Sequence, residues 1–297
     1  MGGSERALVE RTKRISWVVT LVLYIGVIPF LNCAHASAST DTCATTGASR
    51  WLDDYKAHVG LTYGASATLN TNYLWRGLYV GGLNLQPEAN VGYGGLYVSM
   101  WWSIGATNWA FARFQPEVDV TIGFARWGLN VSITEIHNFN CGFFDYTNYP
   151  GGGNGLELGL RYTVSSKLPL SFFWATRVAA ADGYMGTAGD TIRAYSTYIE
   201  LSYTHHFPYG IDLGGAVGVT PWRSLYTGYQ RDFAVQNIAL RLSKDWSLSA
   251  HCGLKLQGLL GLNPSAIAAD KSSAEWHPAA PENQSINANI GVCVYLK

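Results

Sequence analysis

Between Val59 and Leu296 the chain keeps changing sides. In 286–296, Ile286, Ala288, Ile290, Val292, Val294 and Leu296 share one face, and Asn287, Asn289, Gly291, Cys293 and Tyr295 share the other. In 113–124, Phe114, Pro116, Val118, Val120, Ile122 and Phe124 alternate with Arg113, Gln115, Glu117, Asp119, Thr121 and Gly123. A period of two is the mark of a strand rather than a helix. Here one face is wholly apolar and the other carries full charges. The same reading predicts strands near 60–76, 84–93, 95–104, 127–137, 155–163, 168–177, 195–205, 210–220, 233–243 and 246–260, about twelve in all, the even number expected of single-chain bacterial barrels.

Such a chain needs an apolar surrounding for one face and water for the other. Only 13% of its residues are charged, about half the usual share for a soluble domain. Twenty basic and twenty acidic residues cancel, so nothing suggests nucleic acid as a partner. At the N-terminus, Arg6, Arg11, Lys13 and Arg14 precede the apolar run ISWVVTLVLYIGVIPFL and a small-residue exit with Ala34 and Ala36. This pattern predicts a signal peptide over 1–36, cleaved before Ser37, and export. Residues 37–57 are expected to form a periplasmic N-terminal extension, and 58–297 the folded body. No second long apolar run follows. An exported, hydrophobic protein without membrane helices is either a secreted β-protein or a barrel closed in an outer membrane.

Connection lengths separate the two. Short links near 94–95, 125–126, 165–167, 207–209 and 244–245 alternate with longer ones near 77–83, 105–110, 138–154, 178–194, 221–232 and 261–285. A barrel with tight periplasmic turns and long external loops predicts this alternation; a sandwich does not. If the first strand runs outward, Tyr73, Trp75, Trp102 and Phe114 fall on the lipid face near the outer rim, and Tyr162, Tyr203 and Trp246 near the inner one. Two aromatic belts are what membrane interfaces favour. The expected fold is therefore all-β, a transmembrane antiparallel barrel of about twelve strands, with outer-membrane lipid as one partner.

Facing lipid with the apolar sides turns Arg76, Glu88, Arg113, Glu117, Asp119, Glu157, Arg161, Glu200, Asp212, Arg241, His251 and Lys255 into the lumen. Arg76, beside its tryptophan, is expected to pair with an inward carboxylate, Glu88 being the first candidate. Balanced charges across a narrow lumen suit passive diffusion of small hydrophilic solutes, without strong selection for cations or anions. The alternative is a closed barrel, sealed by its own side chains, with a structural or adhesive role in its loops.

The stretch NYLWRG, with Asn72, Tyr73, Trp75, Arg76 and Gly77, resembles the first-strand signature of the TorF-like porin family of Gram-negative outer-membrane barrels. PEVDVTIGF, FFDYTNYPGG and GLELGLRY are similar to later motifs of that family, and the similarity runs over most of 60–296. The resemblance implies an outer-membrane barrel more firmly than it implies a solute.

Enzyme chemistry finds little support. Ser249 and His251, two residues apart on a strand, would share a face, but no Asn or Asp completes a triad. His205 and His206 fall at a turn without further ligands, so neither a metal nor a cofactor is expected. The cysteines after the signal are Cys43, Cys141, Cys252 and Cys293. An oxidising periplasm permits disulfides, but Cys252 and Cys293 point to opposite faces and are not expected to pair. Cys43 belongs to the periplasmic extension and Cys141 to an outside loop.

Overall fold

The computed structural model describes residues 60–105, 116–139, 142–146, 154–180, 182–265 and 285–296. The expected signal peptide and N-terminal extension, with Cys43, Arg113, Phe114 and Cys141, lie outside the described residues. In chain order the strands are β1 (Leu61–Asn70), β2 (Tyr73–Trp75), β3 (Leu78–Gly81), β4 (Asn84–Tyr93), β5 (Leu96–Gly105), β6 (Glu117–Arg126), β7 (Leu129–His137) and β8 (Gly155–Thr163). They continue as β9 (Leu170–Ala180), β10 (Gly183–Met185), β11 (Thr191–Arg193), β12 (Thr197–Phe207), β13 (Ile211–Thr220), β14 (Ala234–Ser247), β15 (Cys252–Leu262) and β16 (Ile286–Leu296).

Twelve of these close into an antiparallel ring in the order β1-β16-β15-β14-β13-β12-β9-β8-β7-β6-β5-β4. β1 is hydrogen-bonded to β16 on one side, Thr68 opposite Cys293, and to β4 on the other, Thr68 opposite Gln86. The closed ring itself leaves none of its twelve wall strands with an open edge. The remaining four strands form two small hairpins, β2-β3 and β10-β11, both within connections at the end of the barrel away from the short turns.

Alternation sorts the wall as no soluble barrel would. Leu240 and Leu242 are 53% and 55% exposed on the outside, as are Val292 and Val294 at 43% and 46%. Asn237, Glu157, Glu200 and Asn289, pointing inward, are all buried. The apolar set faces out and the polar set faces in, the reverse of a water-soluble core. A ten-residue strand rises about 33 Å along its own axis; tilted by about 40°, it covers the roughly 25 Å height of a lipid-facing band. Among the described residues no helix is long and apolar enough to cross a membrane.

Two sequence-derived boundaries shift. The first strand does not run to Trp75: it ends at Asn70, and Tyr73–Trp75 belongs to the separate hairpin. The turn expected at 244–245 is displaced to 248–251, because β14 keeps pairing with β15 as far as Ser247 opposite Gly253. Leu248 and Ser249 both donate their backbone N–H to the Cys252 carbonyl there, at 3.0 and 3.1 Å.

Candidate functional site: an arginine-pinned hairpin inside the lumen

After Asn70 the chain leaves the wall, and the β2-β3 hairpin folds into the barrel. Its turn residues, Arg76 and Gly77, have φ of 51° and 82°. Two successive left-handed residues are the pattern of a two-residue type I′ turn, which favours Gly, Asn or Asp. Gly77 has a further reason to be glycine, since a Cβ there would stand 2.2 Å from the backbone oxygen of Gln236. Arginine in the first position is strained, and its side-chain contacts show what offsets that cost.

The guanidinium crosses the lumen. Arg76 Nη1 donates to Glu157 Oε2 at 2.7 Å and Nη2 to Oε1 at 2.6 Å, a two-pronged pair with side chains only 11% and 8% exposed. Glu157 lies on β8, seven strands from β1 one way round the twelve-stranded ring and five the other. Around the cation stand Trp75, Phe173, Tyr198 and Tyr226, with ring centroids 4.7, 5.3, 5.3 and 5.7 Å from its central carbon. These distances suit attraction between a cation and aromatic faces. Arg76 Nη1 also donates to the Tyr226 hydroxyl. Burial pushes Tyr226 up to about 12, against the pull of Arg76. The phenol is therefore neutral at ordinary pH, and of these two partners only Glu157 supplies a countercharge.

The amide side chains on the other side hold the hairpin by its backbone. Asn263 Nδ2 donates to the Gly77 carbonyl at 3.1 Å and Asn287 Nδ2 to the same oxygen at 3.4 Å. Asn289 Oδ1 accepts from the Thr71 hydroxyl and the Asn72 backbone N–H, at 3.2 and 3.1 Å. Leu78 is buried with Tyr198, Leu225 and Tyr226. Leu225 and Tyr226 come from the 221–233 connection, which is tied in turn to the one carrying β10-β11: the Leu225 N–H donates to Ser196 Oγ at 2.8 Å, and Tyr229 OH to Asp182 Oδ1 at 3.3 Å. Three long connections thus converge on the hairpin and narrow the barrel at its long-loop end.

Beyond the hairpin a cavity of about 450 Å³ runs along the lumen, bordered by Arg76, Glu157 and Trp101 and, toward the short turns, by His206, Asp212 and Lys255. Its lining includes Glu88, Asp119, Arg161, Glu200 and Arg241. Most charges have opposite or polar partners: Arg241 Nη2 lies 3.8 Å from Glu200 Oε2, Lys255 Nζ 4.0 Å from Asp245, and His206 Nδ1 2.8 Å from Asp212. Arg161 stacks on Phe173 at 4.4 Å. Glu117 Oε1 accepts from the Tyr73 hydroxyl at 3.0 Å.

Several sequence-derived placements are corrected. Tyr73 and Trp75 are not on the lipid face. Tyr73 is 8% exposed and its ring lies 5.6 Å from Trp101; Trp75 packs on Tyr226 at 5.3 Å. Both followed from extending β1 through a bend that redirects every later side chain. Arg76 pairs with Glu157, not Glu88. His251 does not line the lumen: it lies exposed in the 248–251 turn, where its backbone N–H donates to Ser249 Oγ at 3.2 Å, so these two residues form no strand-borne pair. Trp102 is outward, since its neighbour Trp101 lines the cavity. Tyr162, Tyr203 and Trp246 are exposed on the outer wall at the short-turn end. Sequence reasoning missed Trp101, Tyr198, Asn237, Tyr226 and His206. The first three share the alternation of residues already placed inward, while Tyr226 sits in a connection where no periodicity exists.

No family model and no curated protein matches this chain. Among solved structures it is similar to a NanC porin, at 12% identity over 80% of this chain and 100% of that chain, with a TM-score of 0.43. It is also similar to a deletion mutant of the TodX monoaromatic hydrocarbon channel, at 9% identity over 85% and 94%, TM-score 0.40. An anion-selective porin from Comamonas acidovorans matches at 9% identity over 80% and 98%, TM-score 0.31. At these identities and scores the likeness carries no information on solute.

Proposed function

We propose that this protein is an outer-membrane channel of porin type, through which small hydrophilic solutes diffuse passively along a charge-balanced lumen. The observation that carries this reading is the inverted wall: exposed aliphatic side chains outside, and inside a cavity of about 450 Å³ edged by paired acids, bases and amides. An eight-stranded barrel is filled by its own side chains and a sixteen-stranded one leaves a wide aqueous channel. At twelve strands the contents decide, and here the inward hairpin borders the cavity and is taken as the constriction. The resemblance of NYLWRG and the later motifs to the TorF-like porins supports the same location and role, as does the export pattern at the N-terminus. Lumen charges that neutralise one another favour polar solutes without strong preference for either ion sign.

The test is reconstitution of the purified protein into planar bilayers. Discrete current steps are expected in symmetric potassium chloride, with a reversal potential near zero in a salt gradient. A bilayer that stays silent at every voltage and salt concentration, with folded barrel demonstrably inserted, would overturn the channel reading in favour of a closed structural or adhesive barrel.

A further inference from the structure

Most of the lumen pairs its charges, but the arc of β4, β5 and β6 departs from that rule. Glu117 and Asp119 point inward from it, and among the described residues of these three strands no Lys or Arg does. The bases whose charge reaches Asp119 are Arg177 and Arg76, and both face Glu157. Arg76 holds it in the two-pronged pair, and Arg177 stands opposite it in the β8-β9 ladder. Three carboxylates, Glu117, Asp119 and Glu157, therefore share two guanidiniums, which leaves one negative charge in excess.

An aromatic face stands beside that excess. Trp101 lies directly opposite Asp119 in the β5-β6 ladder, which sets their Cβ atoms about 5 Å apart. Both border the cavity. The Trp101 ring is only partly covered, and Tyr73 meets it at 5.6 Å and 54°, so the two rings form a corner. One inward row closer to the short turns, Asn90 lies opposite Ser99 and also borders the cavity.

This wall carries unmet hydrogen-bonding capacity. Asn90 is 7% exposed, and neither its side-chain oxygen nor its nitrogen has a hydrogen-bond partner among the described residues. Asp119 Oδ1 is in the same condition. Their neighbours are satisfied: Tyr97 OH donates to Asn130 Oδ1 at 3.0 Å, and the Thr121 and Thr134 hydroxyls share a bond of 2.9 Å. Buried polar atoms left without partners cost free energy that a suitable ligand recovers. The missing partners are donors for Asp119 and the Asn90 oxygen, and one acceptor for the Asn90 nitrogen. A metal ion does not fit, since among the described residues no group of three or more His, Cys, Asp or Glu is placed to hold one. A ring face beside a carboxylate attracts a cation that carries apolar surface, and an ammonium brings three N–H donors.

We propose that the wall of Trp101, Asp119 and Asn90 binds a small organic ammonium ion with a hydroxyl group beside the nitrogen. The ammonium donates to Asp119 and to the Asn90 oxygen, its methylene groups lie on Trp101, and the hydroxyl oxygen accepts from Asn90 Nδ2. This names a solute class for the lumen and rests on the channel reading.

The probe is ethanolamine hydrochloride, titrated against the full folded protein in detergent micelles and followed by saturation-transfer NMR. Saturable binding is expected. Tetramethylammonium, which has no N–H to donate, should bind the wild type about tenfold more weakly. Among variants whose circular dichroism matches the wild type, Asp119→Asn should weaken ethanolamine binding by about tenfold to a hundredfold, and Trp101→Leu by about threefold to thirtyfold. No saturable binding, equal binding of the two cations, or a Trp101→Leu affinity equal to wild type would overturn the site, the last by reducing it to a diffuse negative field. In bilayers, ethanolamine should briefly interrupt the potassium current of the wild type and interrupt both variants less. Binding with an uninterrupted current would refute passage of the solute past this wall. Silent bilayers with binding intact would reject the channel and uphold the site; steady current without binding would do the reverse.

Discussion

Replacing Arg76 with methionine keeps much of the side chain's length and removes its charge, leaving the Glu157 carboxylate opposite an apolar tip. The pair is well shielded, with exposures of 11% and 8%, and breaking a buried pair by deleting one partner costs about 3–5 kcal/mol. At 1.4 kcal/mol per decade this shifts the balance between docked and released hairpin by roughly 10²–10⁴-fold. Loss of the aromatic contacts adds to the shift, while Asn263 and Asn287 still grip the Gly77 carbonyl. Single-channel recording should therefore show Arg76→Met with larger conductance or frequent excursions to a larger state. Glu157→Gln should behave similarly, because it strands the cation instead. The double variant Arg76→Met with Glu157→Gln carries no orphan charge and should lie closer to wild type than the sum of the singles, by the logic of a double-mutant cycle. Arg76→Lys should rescue only in part, since an ammonium cannot reproduce the two-pronged geometry. If Arg76→Met inserts normally and its currents match wild type in size, noise and voltage response, the hairpin is not the constriction and the reasoning fails.

Further expectations follow from the same contacts. Gly77→Ala forces a Cβ toward the Gln236 carbonyl in a left-handed conformation; it should loosen the hairpin at a cost of about 1–3 kcal/mol, read as noisier current from a barrel of unchanged circular dichroism. Tyr73→Phe deprives Glu117 of its 3.0 Å donor at a cost of about 1–3 kcal/mol, and disturbance of the adjacent Trp101 should shift tryptophan emission. Leu240→Arg, on the exposed outer wall, should destabilise the membrane-inserted barrel by about 2–4 kcal/mol if it lies near the bilayer midplane; a neutral result in lipid-based unfolding would argue against a lipid-facing β14. Arg241→Gln removes one base 3.8 Å from Glu200 and should tilt the reversal potential toward cations without abolishing current.

Much of the barrel is legible in the sequence alone. A strand wall has one repeating rule, inside then outside, and that rule acts on neighbouring residues. It placed Asp119, Glu157, Arg161, Glu200, Arg241 and Lys255 on the inner face, and the alternation of short and long connections indicated antiparallel neighbours. Connections obey no such rule. Tyr73 and Trp75 continue the parity of β1 on paper, but a bend at Thr71 and Asn72 breaks it, and nothing local announces the bend. The 248–251 turn went astray for a related reason: Ser243, Lys244 and Asp245 interrupt the alternation as a turn would, and only pairing with β15 fixes where the chain reverses.

The sequence by itself determined the architecture, the inverted polarity and the likeness of NYLWRG to a barrel signature, because each depends on residues close along the chain. Only the tertiary structure decided that Arg76 belongs to Glu157, 81 positions away, rather than to Glu88 on the adjacent wall strand. That choice depends on how far an inward hairpin reaches across a closed ring, a distance set by twelve strands acting together.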